Sequence, residues 1–151
     1  MTDGDEDELS LGLLLFIPYR SLESAVLAAL KEHGHDLPLN QARVFQRIDP
    51  RGSRLAELAR AAQLSKQTVG SIVDQLEAAG YVSREPDPTD GRARLVTITS
   101  KGRAMIDLSV PVVREIEAAW EAHLGPTQSR QLRRILTRLR EITDPFAGPS
   151  H

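Results

Sequence analysis

One switch of period constrains this chain more than any other feature. Between residues 53 and 99 the apolar pattern runs at helical spacing twice and then changes to strand spacing. Ser53 can cap a short helix reaching about Ala62, with Leu55, Leu58, Ala59 and Ala62 on one face. Ser65 can cap a second helix reaching about Ala79, with Val69, Ile72, Val73 and Leu76 inward and Gly80 as its stop. The join is Gln63-Leu64-Ser65. Tyr81 to Arg84 and Leu95 to Thr99 then read as strands, and the turn formers Pro86 to Gly91 read as the hairpin loop between them. Two short helices joined by a tight turn and followed by a hairpin describe a winged helix-turn-helix.

The flanks read as helices. Leu9 to Glu32 is the first, and Pro18 inside it predicts a kink or a split into two helices. Leu39 to Ile48 is a short one, closed by Asp49-Pro50-Arg51-Gly52. A long helix runs from about Ser100 to Leu124, with a kink expected at Pro111 and a break at Gly125-Pro126. Thr127 is expected to cap the last helix, which carries Leu132, Ile135, Leu136, Leu139 and Ile142 and ends before Asp144-Pro145. The expected fold is mostly α with a small β-hairpin wing. Residues 39–103 form the winged domain. Residues 9–38 and 104–144 are dimerisation helices. The acidic segment 1–8 and residues 145–151 are flexible ends.

Composition narrows the chemistry. There is no Cys, so disulfides, thiolate metal sites and a Cys nucleophile are excluded. The unbroken apolar runs, Leu13 to Ile17 and Ala25 to Leu30 among them, are far below the roughly 18 residues that span a bilayer. An acidic N-terminus is the wrong sign for a signal peptide. No membrane association is expected, and a cytoplasmic location is. His33, His35, Asp36 and His123 could donate to a metal, but their spacing matches no metal motif, so neither metal nor cofactor is expected. Nothing positions a catalytic triad, and no enzyme activity is expected.

Net charge is −2, which by itself disfavours a nucleic-acid partner. The distribution reverses that reading. Residues 43–103 carry eleven Lys or Arg against seven Asp or Glu, a local +4 inside acidic flanks. The outward face of the second short helix holds Ser65, Lys66, Gln67, Thr68, Ser71 and Gln75, side chains able to donate and accept at base edges. Arg54 joins them from the basic middle. Arg92 and Arg94 are expected in the flexible hairpin loop, where an arginine suits a narrow A·T minor groove. Asp90 is expected to pair with an arginine and fix that loop, or to close the turn through its own side chain. Gly70 allows either close approach to DNA or a neighbouring helix, or plain tolerance. The alternative function is a winged-helix module for protein or RNA, without specific DNA binding.

The stretch LAELARAAQLSKQTVGSIVDQLEAAGYVSREPDPTDGRARLVTITSKG, Leu55 to Gly102, resembles the MarR family of bacterial transcription regulators. The wing DPTDGRARLVTIT followed by SKG carries most of that likeness. The resemblance implies an obligate homodimer with interlocked terminal helices and two winged domains on successive major grooves. It implies a repressor on a pseudo-palindromic operator, released by a small effector. By position, Lys66 to Ser71 would lie on the recognition helix, Arg92 would enter the minor groove, and Asp90 would orient it. Relatives often hold a small aromatic or anionic molecule between the dimer helices and the winged domain. Phe16, Tyr19, Phe45 and Trp120 are the candidate lining here. Many relatives carry an extra basic residue where Thr89 or Gly91 stands.

Dimerisation has separate support in the sequence. The leucines of Leu9 to Ile17 exceed what one small core can bury. Arg130, Arg133, Arg134, Arg138 and Arg140 on the last helix face the prospect of pairing with Glu115, Glu117 and Glu121 on the preceding one.

Overall fold

The computed structural model describes residues 8–147. Residues 1–7 and 148–151 lie outside the described set, and with them most of the two ends expected to be flexible. Among the described residues, six helices and one hairpin follow in order: α1 (Leu11–Glu32), α2 (Leu39–Phe45), α3 (Leu55–Ala62), α4 (Lys66–Ala78), β1 (Val82–Asp87), β2 (Asp90–Ile98), α5 (Ser100–Leu124) and α6 (Pro126–Thr143).

The core belongs almost entirely to the middle of the chain. Val44 and Phe45 of α2, Leu58 of α3, Val69, Ile72, Val73 and Leu76 of α4, and Tyr81, Val82 and Val96 of the hairpin are buried together. All four α4 positions expected to face inward do so. Leu37, Ile48 and Ala59 belong to the same cluster, and Leu30 from α1 and Met105 from α5 join it. Gly102 marks the closest approach. A Cβ there would collide with the Tyr81 carbonyl oxygen and lie 2.8 Å from Ile98 Cγ2. The start of α5 can therefore pass under the wing only as glycine, which accounts for the third residue of the Ser-Lys-Gly stretch.

Several helix boundaries differ from the sequence reading. Neither Pro18 nor Pro111 divides its helix. Residues 11–20 are all exposed, so solvent can take the carbonyl that Pro18 leaves unbonded. Ser53 does not cap α3. Its backbone pairs in both directions with Val96, its hydroxyl accepts from the Asp49 N–H, and Arg54 becomes the N-cap without a side-chain bond. Thr127 does not cap α6, which starts one residue earlier with Pro126 in the first turn, where a missing N–H costs nothing.

The outer helices are unlike the middle. Along α1 only Glu23 and Leu30 are buried, and α6 has no buried residue. Leu11, Phe16 and Ile17 on α1 and Ile135 and Ile142 on α6 stand in solvent, the last at 84% exposure. Of the expected α5–α6 ion pairs one forms, Arg133 to Glu117 at 3.7 Å. Helix α1 reaches a mean hydropathy of 1.5 over its most apolar 18 residues, and by length and composition it could cross a membrane. Unbroken runs alone did not reveal that. The same composition fits a helix that buries its apolar side against protein.

Candidate nucleic-acid interface

Helix α4 is seated by its cap. Ser65 Oγ accepts from the Thr68 N–H at 3.1 Å, and its own proton goes to Thr68 Oγ1 at 2.8 Å. The turn before it requires Gln63 to take φ of +58°, a conformation costly for a residue with a Cβ. With the apolar stripe buried, Ser65, Lys66, Gln67, Thr68, Ser71 and Gln75 are all exposed on the opposite side. They are not equally available. Thr68 is engaged by the cap, and Gln75 accepts from Gln41 Nε2 at 3.0 Å. Lys66, Gln67 and Ser71 have no side-chain partner among the described residues. Gly70 is not a close approach within the protein, since a Cβ there would meet only Leu55 at an ordinary 3.6 Å.

The wing is longer than expected and its tip tighter. Val82 pairs with Ile98 and the ladder runs to Pro86 opposite Arg94, but the next pair is Asp87 opposite Asp90. Gly91, Arg92 and Ala93 therefore have no counterpart on β1, and β2 bulges there. Arg92 and Arg94 lie on this bulged strand rather than in a loop, because the turn itself is only Pro88-Thr89. Gly91 and Arg92 are exposed on the bulge, and Ala93 is half-buried. Arg94 is exposed as well, and Leu95 beyond it is half-buried.

The wing acids divide their work differently from the sequence reading. Asp90 makes no arginine pair. Its Oδ1 accepts from the Arg92 backbone N–H at 3.1 Å and so closes the turn. The arginine partner is held by Asp87, which sequence reasoning missed. Buried Asp87 Oδ2 takes Arg54 Nε at 2.9 Å and Nη2 at 2.7 Å, and Oδ1 takes the Thr89 N–H at 2.8 Å and hydroxyl at 2.7 Å. The Thr89 bonds first, then Arg54, pull its carboxyl down to about 2 from an ordinary 3.8. Arg54 is thus committed to bracing the wing against α3. The Asp-Pro-Thr spacing, which lets an Asp side chain bond two residues on, was the local signal available.

Intramolecular pairing also trims the basic footprint. Arg84 is clamped by Asp74 at 2.7 Å and Glu77 at 2.9 Å. Arg43, Arg47, Arg51 and Arg54 each hold an acid. Lys66, Arg92 and Arg94 have no acidic partner among the described residues. These three, on the α4 face and the wing, are the cations best placed for phosphate.

Behind this face lies a cavity of about 410 Å³ between α1, α2 and the start of α5. Tyr19 and Phe45 line it. Phe16 does not; it is exposed on the outer half of α1. Trp120 lines a separate groove of about 580 Å³ between α5 and α6. His33 and His35 are spoken for, with Nδ1 atoms 2.9 Å from the Ala29 carbonyl and the Tyr81 hydroxyl. No group of three or more metal-capable side chains occurs among the described residues.

Comparisons with known proteins agree with this architecture. The MarR family profile matches residues 35–93. The HTH-type transcriptional repressor Rv2887 of Mycobacterium tuberculosis is 35% identical over 136 residues, covering 90% of this chain and 97% of that one. The crystal structure of Rv2887 with p-aminosalicylic acid superposes with a TM-score of 0.61 at 32% identity, covering 87% of this chain and 98% of that one. CouR of Rhodococcus jostii bound to p-coumaroyl-CoA gives 0.70 at 25% identity and covers 99% of both chains. Identity at this level over nearly the full length, on the same winged helix-turn-helix, places the chain in the MarR family of transcriptional regulators, which are not enzymes.

Proposed function

We propose that the protein is a homodimeric, sequence-specific repressor that binds a pseudo-palindromic operator in double-stranded DNA and is released by a small molecule. The observation that carries this reading is the exposed polar face of α4 beside the Arg92 bulge. An α-helix fits the major groove, and an arginine on a narrow projection fits an adjacent minor groove. Lys66, Gln67 and Ser71 are then the freest side chains to reach bases and phosphates. Arg94 adds a phosphate contact, and Arg54 acts through Asp87 on the wing's position. A cytoplasmic location follows from work on DNA.

Dimerisation is supported by the unfinished outer helices. Segments 9–38 and 104–144 carry most of the exposed large apolar residues, and a twofold partner gives them something to bury against. Two α4 helices must then sit about one helical turn of DNA apart. A cavity of a size suited to small ligands lies between α1 and the winged unit, with Tyr19 and Phe45 on its wall. A ligand that binds one separation of the helices better than another weakens DNA binding by that difference.

Selection from a random duplex pool, followed by footprinting on the enriched sequence, tests the proposal. The expected result is protection of two half-sites with centres about one turn apart. Equal affinity for every duplex, with no enriched sequence, would overturn it.

A further inference from the structure

Glu23 is the anomaly of α1. Its side chain is 7% exposed and sits on the wall of an otherwise largely apolar cavity. It is held by Arg43 of α2, Nε to Oε2 at 2.9 Å and Nη2 to Oε1 at 3.1 Å, the two-pronged geometry by which a guanidinium grips a carboxylate. That bond first, set against burial, keeps the Glu23 carboxyl below the ordinary glutamate value. We infer that Arg43 is the cavity's anion-binding group and Glu23 its built-in occupant, which a small carboxylate with an apolar body displaces.

Three observations support the exchange, which rests on the effector reading above. The first is the occupant itself: a carboxylate already fills the place, so a ligand carboxylate can make the same two bonds. The second is a waiting counterion. Arg20, one turn away on α1, lies with Nη1 3.3 Å from Glu23 Oε1 and 2.9 Å from Ser24 Oγ. A displaced Glu23 can turn to Arg20 and stay paired, which avoids leaving a bare buried charge. The third is what the pair connects. Between α1 and α2 the side-chain hydrogen bonds among the described residues are Glu23–Arg43 and Gln46–Tyr19, both on the cavity wall. Helix α2 in turn sends Val44 and Phe45 into the core that seats α4, and Gln41 bonds Gln75. Replacing Glu23 by a ligand cuts the strut from α1 to the unit that carries α4.

The test uses p-aminosalicylate and its neutral carboxamide as probes, titrated calorimetrically into the full-length protein, Glu23→Gln and Arg43→Gln. Without its internal competitor, Glu23→Gln binds the acid about tenfold more tightly than the wild type does. Arg43→Gln binds the acid about tenfold or more weakly and keeps the carboxamide. With the strut gone, ligand-free Glu23→Gln binds the selected duplex about fivefold or more weakly, and the acid weakens it little further. Acid affinity unchanged in Glu23→Gln, or acid and carboxamide lost together in Arg43→Gln, overturns the exchange. If both probes bind the wild type equally and Glu23→Gln alters neither, a ligand cavity survives and the exchange alone falls. If no probe binds any of the three proteins, the carboxylate effector falls with it. Circular dichroism on both variants confirms that each is folded.

Discussion

The winged unit and the outer helices follow opposite rules. In residues 39–99 the apolar side chains close on one another, and the polar ones are bonded or exposed in an ordered face. In α1 and α6 most large apolar side chains face outward, and the acids Glu23 and Asp144 provide inward ties. The first region is complete in one chain. The second has hydrophobic stripes that a single subunit leaves bare. Local pattern therefore suffices to specify the winged unit, while the outer part, on the dimer proposed above, would obtain most of its burial from a second copy.

The largest effect should come from the incomplete region. Ile135→Asp disturbs nothing buried within the chain, so helicity by circular dichroism should persist. If Ile135 is buried in a twofold interface, the change counts twice, about 3–6 kcal/mol, or a dimer Kd raised roughly 10²- to 10⁴-fold. Analytical ultracentrifugation should show monomer at micromolar concentration. A dimer unchanged by Ile135→Asp would assign α6 to some other task. Next in size are the free cations. Arg92→Ala should weaken operator binding about 10- to 100-fold, and Lys66→Ala somewhat less. Each should flatten the salt dependence by up to about one unit of slope for every phosphate left without its cation. If Arg92 reads groove width, its removal should also relax preference for A·T-rich positions, seen by repeating the selection with Arg92→Ala.

Asp87→Asn gives a contest of signs. Removing a negative charge near DNA should tighten binding if charge alone matters. If Asp87 positions the wing, binding should weaken about three- to tenfold, and gel-shift titration decides. Its stability effect has a pH signature. A carboxyl lowered from 3.8 to about 2 contributes in full above the higher value and loses that contribution as pH falls through the lower. The stability gap between wild type and Asp87→Asn should therefore close between about pH 4 and pH 2 in denaturant titrations. The smallest effect is Gly70→Ala. The site has room for a methyl group, so helix propensity should add up to about 1 kcal/mol, read from thermal unfolding. Weaker DNA binding alongside that gain would show that the duplex, rather than a neighbouring helix, comes close to Gly70.

What could be read from the sequence was whatever depends on near neighbours. The Ser65 cap, the four inward residues of α4 and the Gly80 stop are set by residues within a few positions. The wing brace joins Arg54 to Asp87, the cavity strut Glu23 to Arg43, and the Gln41–Gln75 bond joins α2 to α4. No periodicity encodes those pairs, because each depends on how whole elements come together. Ser53 shows the same limit in miniature. It is a good cap by type, but its backbone is taken by Val96 and its hydroxyl by Asp49, so the helix starts without it. The aromatics divided likewise. Phe45 and Tyr19 reach the cavity and Phe16 and Trp120 do not, a matter of helix rotation that residue type cannot reveal.

That stitch between Ser53 and Val96 has a consequence for control. It fastens the strand of the wing to the entrance of α3, next to the residue that reaches Asp87. In the proposed DNA complex, the helix assigned to the major groove and the finger assigned to the minor groove would thereby be welded into one hand. On that reading a small molecule would have no means of loosening the finger alone; it would carry the whole hand along, and both grips on a half-site would slacken in the same motion.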